Sequence, residues 1–274
     1  MPIITFWSNN EKAIGQSVSA ASSAVVMAME HNYKVLLMSA DFENDTIENC
    51  FGAQETNKEI VKTLVKKPQI NLDSGISGLI KLADSNRVTP EVIHDYTKIV
   101  FKNRLEVLYS PMDSEGRNFM PEFKNILQNA SRYYDYVFID LRKGHRYQEQ
   151  LEILEMSDVI VLNIEQGIKS ILNFLNATEL QTMSNKVIWN ICRYDSKSKY
   201  NSKNLIRNIL KKQYLFETHY NTLVSDAVQE GNLVELLIRF KTLKDDDENK
   251  EFIVKIEEMI QGILIKHEET RRRM

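Results

Sequence analysis

Residues 8–25 read SNNEKAIGQSVSAASSAV and follow directly on the apolar run Ile3 to Trp7. The outline is a strand, a loop and then a helix whose small and apolar residues supply a packed face. A loop of this kind grips phosphates when glycines let backbone N–H groups curl around them, a lysine reaches the terminal phosphates and a Ser or Thr hydroxyl meets magnesium. Gly15 and Ser17 fit that description, but the position between them, where the lysine belongs, is Gln16. The segment is therefore a phosphate loop, a degraded one or an ordinary turn, and the chain around it has to decide.

Working outward, short apolar runs recur as IITFW, KVLLMSAD, LEVLYS, YDYVFIDL, DVIVLNI and KVIWNIC, separated by stretches long enough for helices. Continuously apolar strands alternating with helices predict an α/β fold, a doubly wound and mostly parallel sheet with helices on both faces. Ligands of such sheets gather at the carboxyl ends of the strands, which is where the loop lies.

Composition narrows the function classes. With 274 residues, 43% hydrophobic and 27% charged, the chain can bury a substantial core. A net charge of -3 argues against a protein built mainly to grip nucleic acid. No apolar run is long enough to span a bilayer, and the opening MPIITFWSNNEK lacks the regions of a signal peptide, so a cytoplasmic protein is expected. Cys50 and Cys192 stand far apart and the histidines are scattered, which gives neither a disulfide framework nor a zinc spacing. No acid, base and nucleophile can be grouped from spacing, so no catalytic residue is assigned.

The order of segments resembles the ParA/MinD family of dimeric nucleotide switches, P-loop NTPases whose loop reads approximately K-G-G-x-G-K-[ST]. Aligned without gaps, Glu11 falls on the first lysine, Lys12 and Ala13 on two glycines, Gly15 on the last glycine, Gln16 on the second lysine and Ser17 on the hydroxyl. YKVLLMSADFEN resembles the family's second strand ending D-x-D, with Ser39 at the first acid and Asp41 at the second. YDYVFIDLRKG is similar to the segment ending in a switch glycine, giving Asp140 and Gly144, and HYNTLVSDA to the P-x-D stretch, with His219 at the proline. The resemblance covers nearly the whole chain and implies one domain over residues 1–274.

The departures share a direction, because each falls on a nucleotide contact of the family. By the family's mechanism the first lysine reaches the partner's phosphates, and Glu11 brings a negative charge there instead. Two unit charges about 4 Å apart at an effective dielectric near 20 interact by roughly 4 kcal/mol, so the exchange is a large penalty. The resemblance thus implies a degenerate branch, similar to TadZ/CpaE proteins: a homodimeric, non-hydrolysing scaffold that positions or helps assemble a pilus or secretion machine. Its place would be the cytoplasm, at a pole or peripheral to the inner face of the membrane. ATP and Mg2+ binding would be weak or absent, through Gly15, Gln16, Ser17, Asp41 and Asp140, with Ser17 and Asp41 at the metal. The alternative is an active ParA/MinD-type ATPase for DNA partition or cell-division positioning. Read from the residues alone, Ser17 satisfies the helix start before it is a metal ligand, and the two aspartates read equally as caps of the turns after their strands.

Three further segments bear on partners. RKGHRYQEQ, from Arg142 to Gln150, offers Arg142, Lys143, Arg146 and Tyr147 as an exposed protein-binding stretch. The basic stretch from Arg193 to Lys212 reads as a helix with Leu205, Ile206, Ile209 and Leu210 as its core stripe and its cations in solvent. The final helix, with Ile253, Ile256, Met259, Ile260, Ile263 and Leu264 on one face, is expected to pack on the domain rather than on a membrane.

Overall fold

The computed structural model describes residues 2–9, 15–41, 45–52, 75–83, 85, 87–110, 120–142, 147–207 and 214–272. Glu11, Lys12, Ala13, Lys143, Gly144, Arg146, Ile209, Leu210 and Lys212 lie outside them, as does the side chain of Tyr147. Eight strands form one sheet: β1 Ile3–Trp7, β2 Val35–Ser39, β3 Lys98–Phe101, β4 Leu105–Leu108, β5 Tyr136–Leu141, β6 Val159–Glu165, β7 Val187–Tyr194 and β8 Leu215–His219. Their order is β3-β4-β2-β5-β1-β6-β7-β8, and every neighbouring pair is parallel except the β3–β4 hairpin. The six runs read from sequence are all strands, and the sheet is mostly parallel with helices on both faces, as expected.

The two strands that the apolar pattern did not reveal, β3 and β8, are the edges. Both are short and mostly half-buried, so they lack the continuous apolar run that marks an inner strand.

Alternation along β1 explains the layers. Ile3 and Trp7 join one core, and Ile4 and Phe6 join the other. The first core is covered by α3 Gly75–Ala83, α4 Pro90–His94, α5 Met120–Ala130, α6 Tyr147–Met156, α7 Ile168–Leu175, α8 Thr178–Gln181 and α9 Ser202–Leu205. The second is covered by α1 Gln16–Glu30, α2 Thr46–Cys50, α10 Thr222–Glu230, α11 Leu233–Thr242 and α12 Lys250–Arg271. Small residues such as Ala20, Ala21 and Ala24 bring α1 close against the sheet. In α12, Ile253, Ile256, Met259, Ile260 and Ile263 are buried, so this helix packs on the domain. No described helix is long and apolar enough to cross a membrane.

The expected stripe of the basic segment holds only in part: Leu205 is buried, but Ile206 is exposed. Successive side chains on a helix turn by about 100°, so Ile206 points away from the inward face that Leu205 occupies.

One buried charge lies away from the strand ends that meet the loop. Glu106 on β4 accepts from Thr97 Oγ1 at 3.0 Å and from the Tyr134 hydroxyl, meets His94 Nδ1 at 2.9 Å and faces Lys34 Nζ at 3.6 Å. Burial alone would raise its pKa, but the bonds to His94 and Tyr134 and the Lys34 charge hold it below the usual range.

Candidate functional site

The winding direction reverses at β1, since the chain moves to one edge through β2 and to the other through β6. A cavity of about 300 Å³ opens at this end of the sheet, reaching from Asp41 and Arg142 past Gly15 and Ser17 to Arg193 and His219. Clefts of this kind hold ligands at the switch point of α/β sheets.

Gly15 makes the turn into α1. Its φ of 95° is left-handed, a conformation that glycine adopts without steric cost. The helix begins with no side-chain cap, and its first intrahelical bond is from Ser19 N to Gly15 O at 3.0 Å. The amides of Gln16, Ser17 and Val18 therefore have no intrahelical acceptor, and all three residues line the cavity.

Gln16 points inward. Its Nε2 donates to Asp140 Oδ1 at 2.6 Å, to Phe6 O at 3.1 Å and to Leu141 O at 3.1 Å, tying the helix start to the ends of β1 and β5. Phe6 pairs with Asp140 and Trp7 with Leu141 in the sheet register, so the three acceptors are neighbours by construction. Asp140 is 1% exposed, and its Oδ2 has no hydrogen-bond partner. Burial pushes its pKa up to about 6; hydrogen bonds from Ser17 and Gln16 oppose this, Asp41 adds repulsion and Arg142 draws it back.

Asp41 follows β2 and is nearly buried, with Arg142 Nη1 3.4 Å from its Oδ2. Its backbone is fixed as well. Ser110 Oγ donates to Asp41 O at 2.7 Å and lies 3.1 Å from Ser39 Oγ, so the serine at the first-acid position serves the turn rather than a metal. Arg142, expected in an exposed partner-binding stretch, is instead half-buried against this carboxylate and lines the cavity. Nearby, Glu48 of α2 accepts from Ser110 N at 3.2 Å, and burial pushes its carboxyl up to about 7.

Beneath the other half of the cavity runs a buried polar network that the sequence did not suggest. Asn190 Nδ2 donates to Ser19 Oγ at 3.0 Å and to Asn163 Oδ1 at 2.9 Å, while Thr218 Oγ1 donates to Asn190 Oδ1 at 3.0 Å. Cys192 Sγ donates to the same Asn163 oxygen at 3.3 Å. Burial pushes this thiol up to about 12, which makes it a packing group and not a nucleophile. Paired polar groups of this kind fix α1 against β6, β7 and β8.

The five residues singled out from sequence thus meet at one end of the sheet. Gly15, Gln16, Ser17 and Asp41 line the cavity, and Asp140 sits under Gln16. Arg193 is exposed, as expected for a cation of the basic stretch, and it also lines the same cavity. Its signal, an arginine directly after Cys192, is visible in the sequence but not separable there from the lysines that follow.

The residues fit the family's ligand only in part. Asp140 Oδ2, buried and unpartnered, suits a hydrated cation, and Asp41 and Ser17 stand in the same cavity. Among the described residues no group of three or more His, Cys, Asp or Glu side chains is placed to hold a metal, so a Mg2+ ion would rest mainly on its ligand's phosphates. A third phosphate finds no lysine at position 16, and the glutamine there has both its hydrogens committed to protein acceptors.

Neither a protein-family model nor a curated protein sequence matches this chain. Solved structures do. A ParA family ATPase from Chlorobium tepidum superposes with a TM-score of 0.67 at 14% identity, over 92% of this chain and 97% of that one. MinD from Pyrococcus horikoshii, complexed with Mg-ADP, gives 0.65 at 14% identity over 97% and 98%. A plasmid partition protein from Borrelia burgdorferi bound to AMPPNP gives 0.62 at 20% identity over 97% and 98%. The fold is that of the ParA/MinD ATPases, a P-loop NTPase architecture.

Proposed function

We propose that this chain, one domain over residues 1–274, is a non-hydrolysing ParA/MinD-like scaffold that dimerises and positions or helps assemble a pilus or secretion machine. The observation that carries the reading is Gln16. At the position of the family's catalytic lysine stands a neutral amide, committed to Asp140, Phe6 O and Leu141 O. Phosphoryl transfer depends on cations that stabilise charge on the transferred group, and a glutamine so occupied supplies none. A positioning role is in keeping with neighbours described as septum-site-determining and partition proteins, and the assignment to a pilus or secretion machine follows from the TadZ/CpaE resemblance. The reading places the protein in the cytoplasm, at a pole or peripheral to the membrane.

ATP with Mg2+ is expected to be hydrolysed no faster than in a blank, by the native protein and by Asp41→Ala alike. A phosphate-release rate typical of a working ATPase, abolished by Asp41→Ala, would establish the ATPase alternative in its place.

A chain that has lost its γ-phosphate contacts cannot use that phosphate as the bridge between subunits. The expected species in solution is therefore a homodimer both with and without ATP, as measured by light scattering or sedimentation. A monomer that pairs only on adding ATP would refute the nucleotide-independent scaffold. Pull-downs from the source cells would then identify the machine, with pilus or secretion components expected among the partners.

A further inference from the structure

The part of the cavity wall that α2 supplies is fastened by a largely buried carboxyl. Glu48 stands two residues after Thr46, which lines the cavity, and its Oε1 accepts from Ser110 N at 3.2 Å. The hydroxyl of the same serine donates to Asp41 O at 2.7 Å, so Ser110 ties α2 and the end of β2 together. The other carboxyl oxygen, Oε2, is buried and has no hydrogen-bond partner. Tyr109, whose buried hydroxyl likewise has none, lies close enough for a charge on Glu48 to raise its pKa.

The surroundings oppose a charge on this carboxyl. Burial raises its pKa most, the backbone amides of Glu48 and Ser110 draw it back, and Asp45 before the same helix and Asp140 on β5 raise it further. Of the helices packed on α2, α10 buries Val224, Ala227 and Val228 and turns Asp226 and Glu230 to solvent, and α1 carries its one charged residue, Glu30, in its last turn against Lys241. Lys98 Nζ reaches the far end of α2 at Phe51 O and faces Glu235 of α11, while Arg142 faces Asp41. An ionised Glu48 is thus a charge held by backbone amides against two carboxylates, in a helix of five residues. A helix that short has little stability of its own.

We propose that Glu48 is a proton-operated latch: protonated, it holds α2 against the end of the sheet, and on losing the proton it lets α2 and the Thr46 wall of the cavity open. Opening of one small segment in this way takes less free energy than unfolding the domain. The sign follows from a pKa raised on folding, from 4.5 to about 7: the latch contributes stability that is full below 4.5 and is lost as pH rises through about 7. From pH 5.5 to 7.5 the opening equilibrium should rise roughly twentyfold and then level off. The device sits at the rim and works whatever the cavity holds.

The test is hydrogen exchange of the full-length protein at pH 5.5 and 7.5, corrected for the intrinsic effect of pH and read at the amides of Asn49, Phe51 and Gly52, which bond within α2 and at its end. In the native protein their protection should fall about tenfold or more over this range, and in Glu48→Gln, which keeps an oxygen for Ser110 N and cannot ionise, by less than about twofold. A smaller fall in the native protein would overturn the proposal. Asp140 titrates at about 6, in the same window, and is present in both proteins. A fall of similar size in Glu48→Gln would therefore assign the effect to Asp140 and overturn the latch. Should the variant misfold, carbon-detected NMR of the Glu48 carboxyl in the native protein decides: a midpoint above about 6 supports the latch, and one at or below about 6 overturns it.

Discussion

Asparagine in place of Asp140 is expected to stabilise the protein at pH 7.5 by about 2 kcal/mol. The carboxyl is raised from 3.8 to about 6, chiefly by burial. At about 1.4 kcal/mol per unit, keeping it charged above that pH costs the folded state about 3 kcal/mol. Asparagine preserves the oxygen that accepts from Gln16 and removes the charge. Its new amide group takes the place of Oδ2, which has no partner, and an unmet amide gives back about 1 kcal/mol. The sign of the pH dependence follows. A pKa raised on folding means that the native carboxyl's relative stability is full below 3.8 and is lost as pH rises through about 6. The advantage of Asp140→Asn should therefore be complete above about pH 7, shrink through the window between 6 and 3.8, and vanish below it. Urea unfolding at pH 7.5, 5 and 3.5 measures this, and equal stability of the two proteins at pH 7.5 would show that the carboxylate is compensated after all.

Alanine in place of Gly231 is expected to cost about 3 kcal/mol. Gly231 ends α10 with a φ of 74°, and a Cβ there would lie 2.6 Å from Gly52 Cα and 3.0 Å from Gly52 N. The neighbour is backbone, with its own left-handed φ of 64°, so it cannot swing aside. Left-handed strain contributes about 1 kcal/mol and forced overpacking about 1–3 kcal/mol more. The loss should also reach the cavity, because α2 contributes Thr46 to its wall and α10 contributes Val224 and Val228. Gly167→Ala is the control. Its backbone is extended, with a φ of 173°, and a Cβ there meets nothing within 4 Å, so its stability should stay within about 0.5 kcal/mol of the native value. Equal unfolding midpoints for Gly231→Ala and Gly167→Ala would contradict the close approach of the two helix ends.

What the sequence determined by itself was the layered sheet and the place of the site. Inner parallel strands are buried on both faces, so they must be apolar throughout, and that requirement is written in runs such as VLLMS and YVFIDL. The edges β3 and β8 face solvent in part and carry no such mark. Gly15, Ser17, Asp41 and Asp140 were legible because each follows or ends one of those strands, and parallel topology then gathers all the strand ends on one side of the sheet. The direction in which the side chains point was not legible. Gln16 was read as a substitute facing the ligand, and only the pairing of β1 with β5 places three acceptors where its amide turns inward. Arg142 was read as an exposed anchor, and Arg193, exposed as expected, as one cation of a surface patch. Both line the cavity because Asp41 draws one and a left-handed backbone aims the other over Gly15, and a contact between residues so far apart in the chain exists only once the sheet has formed.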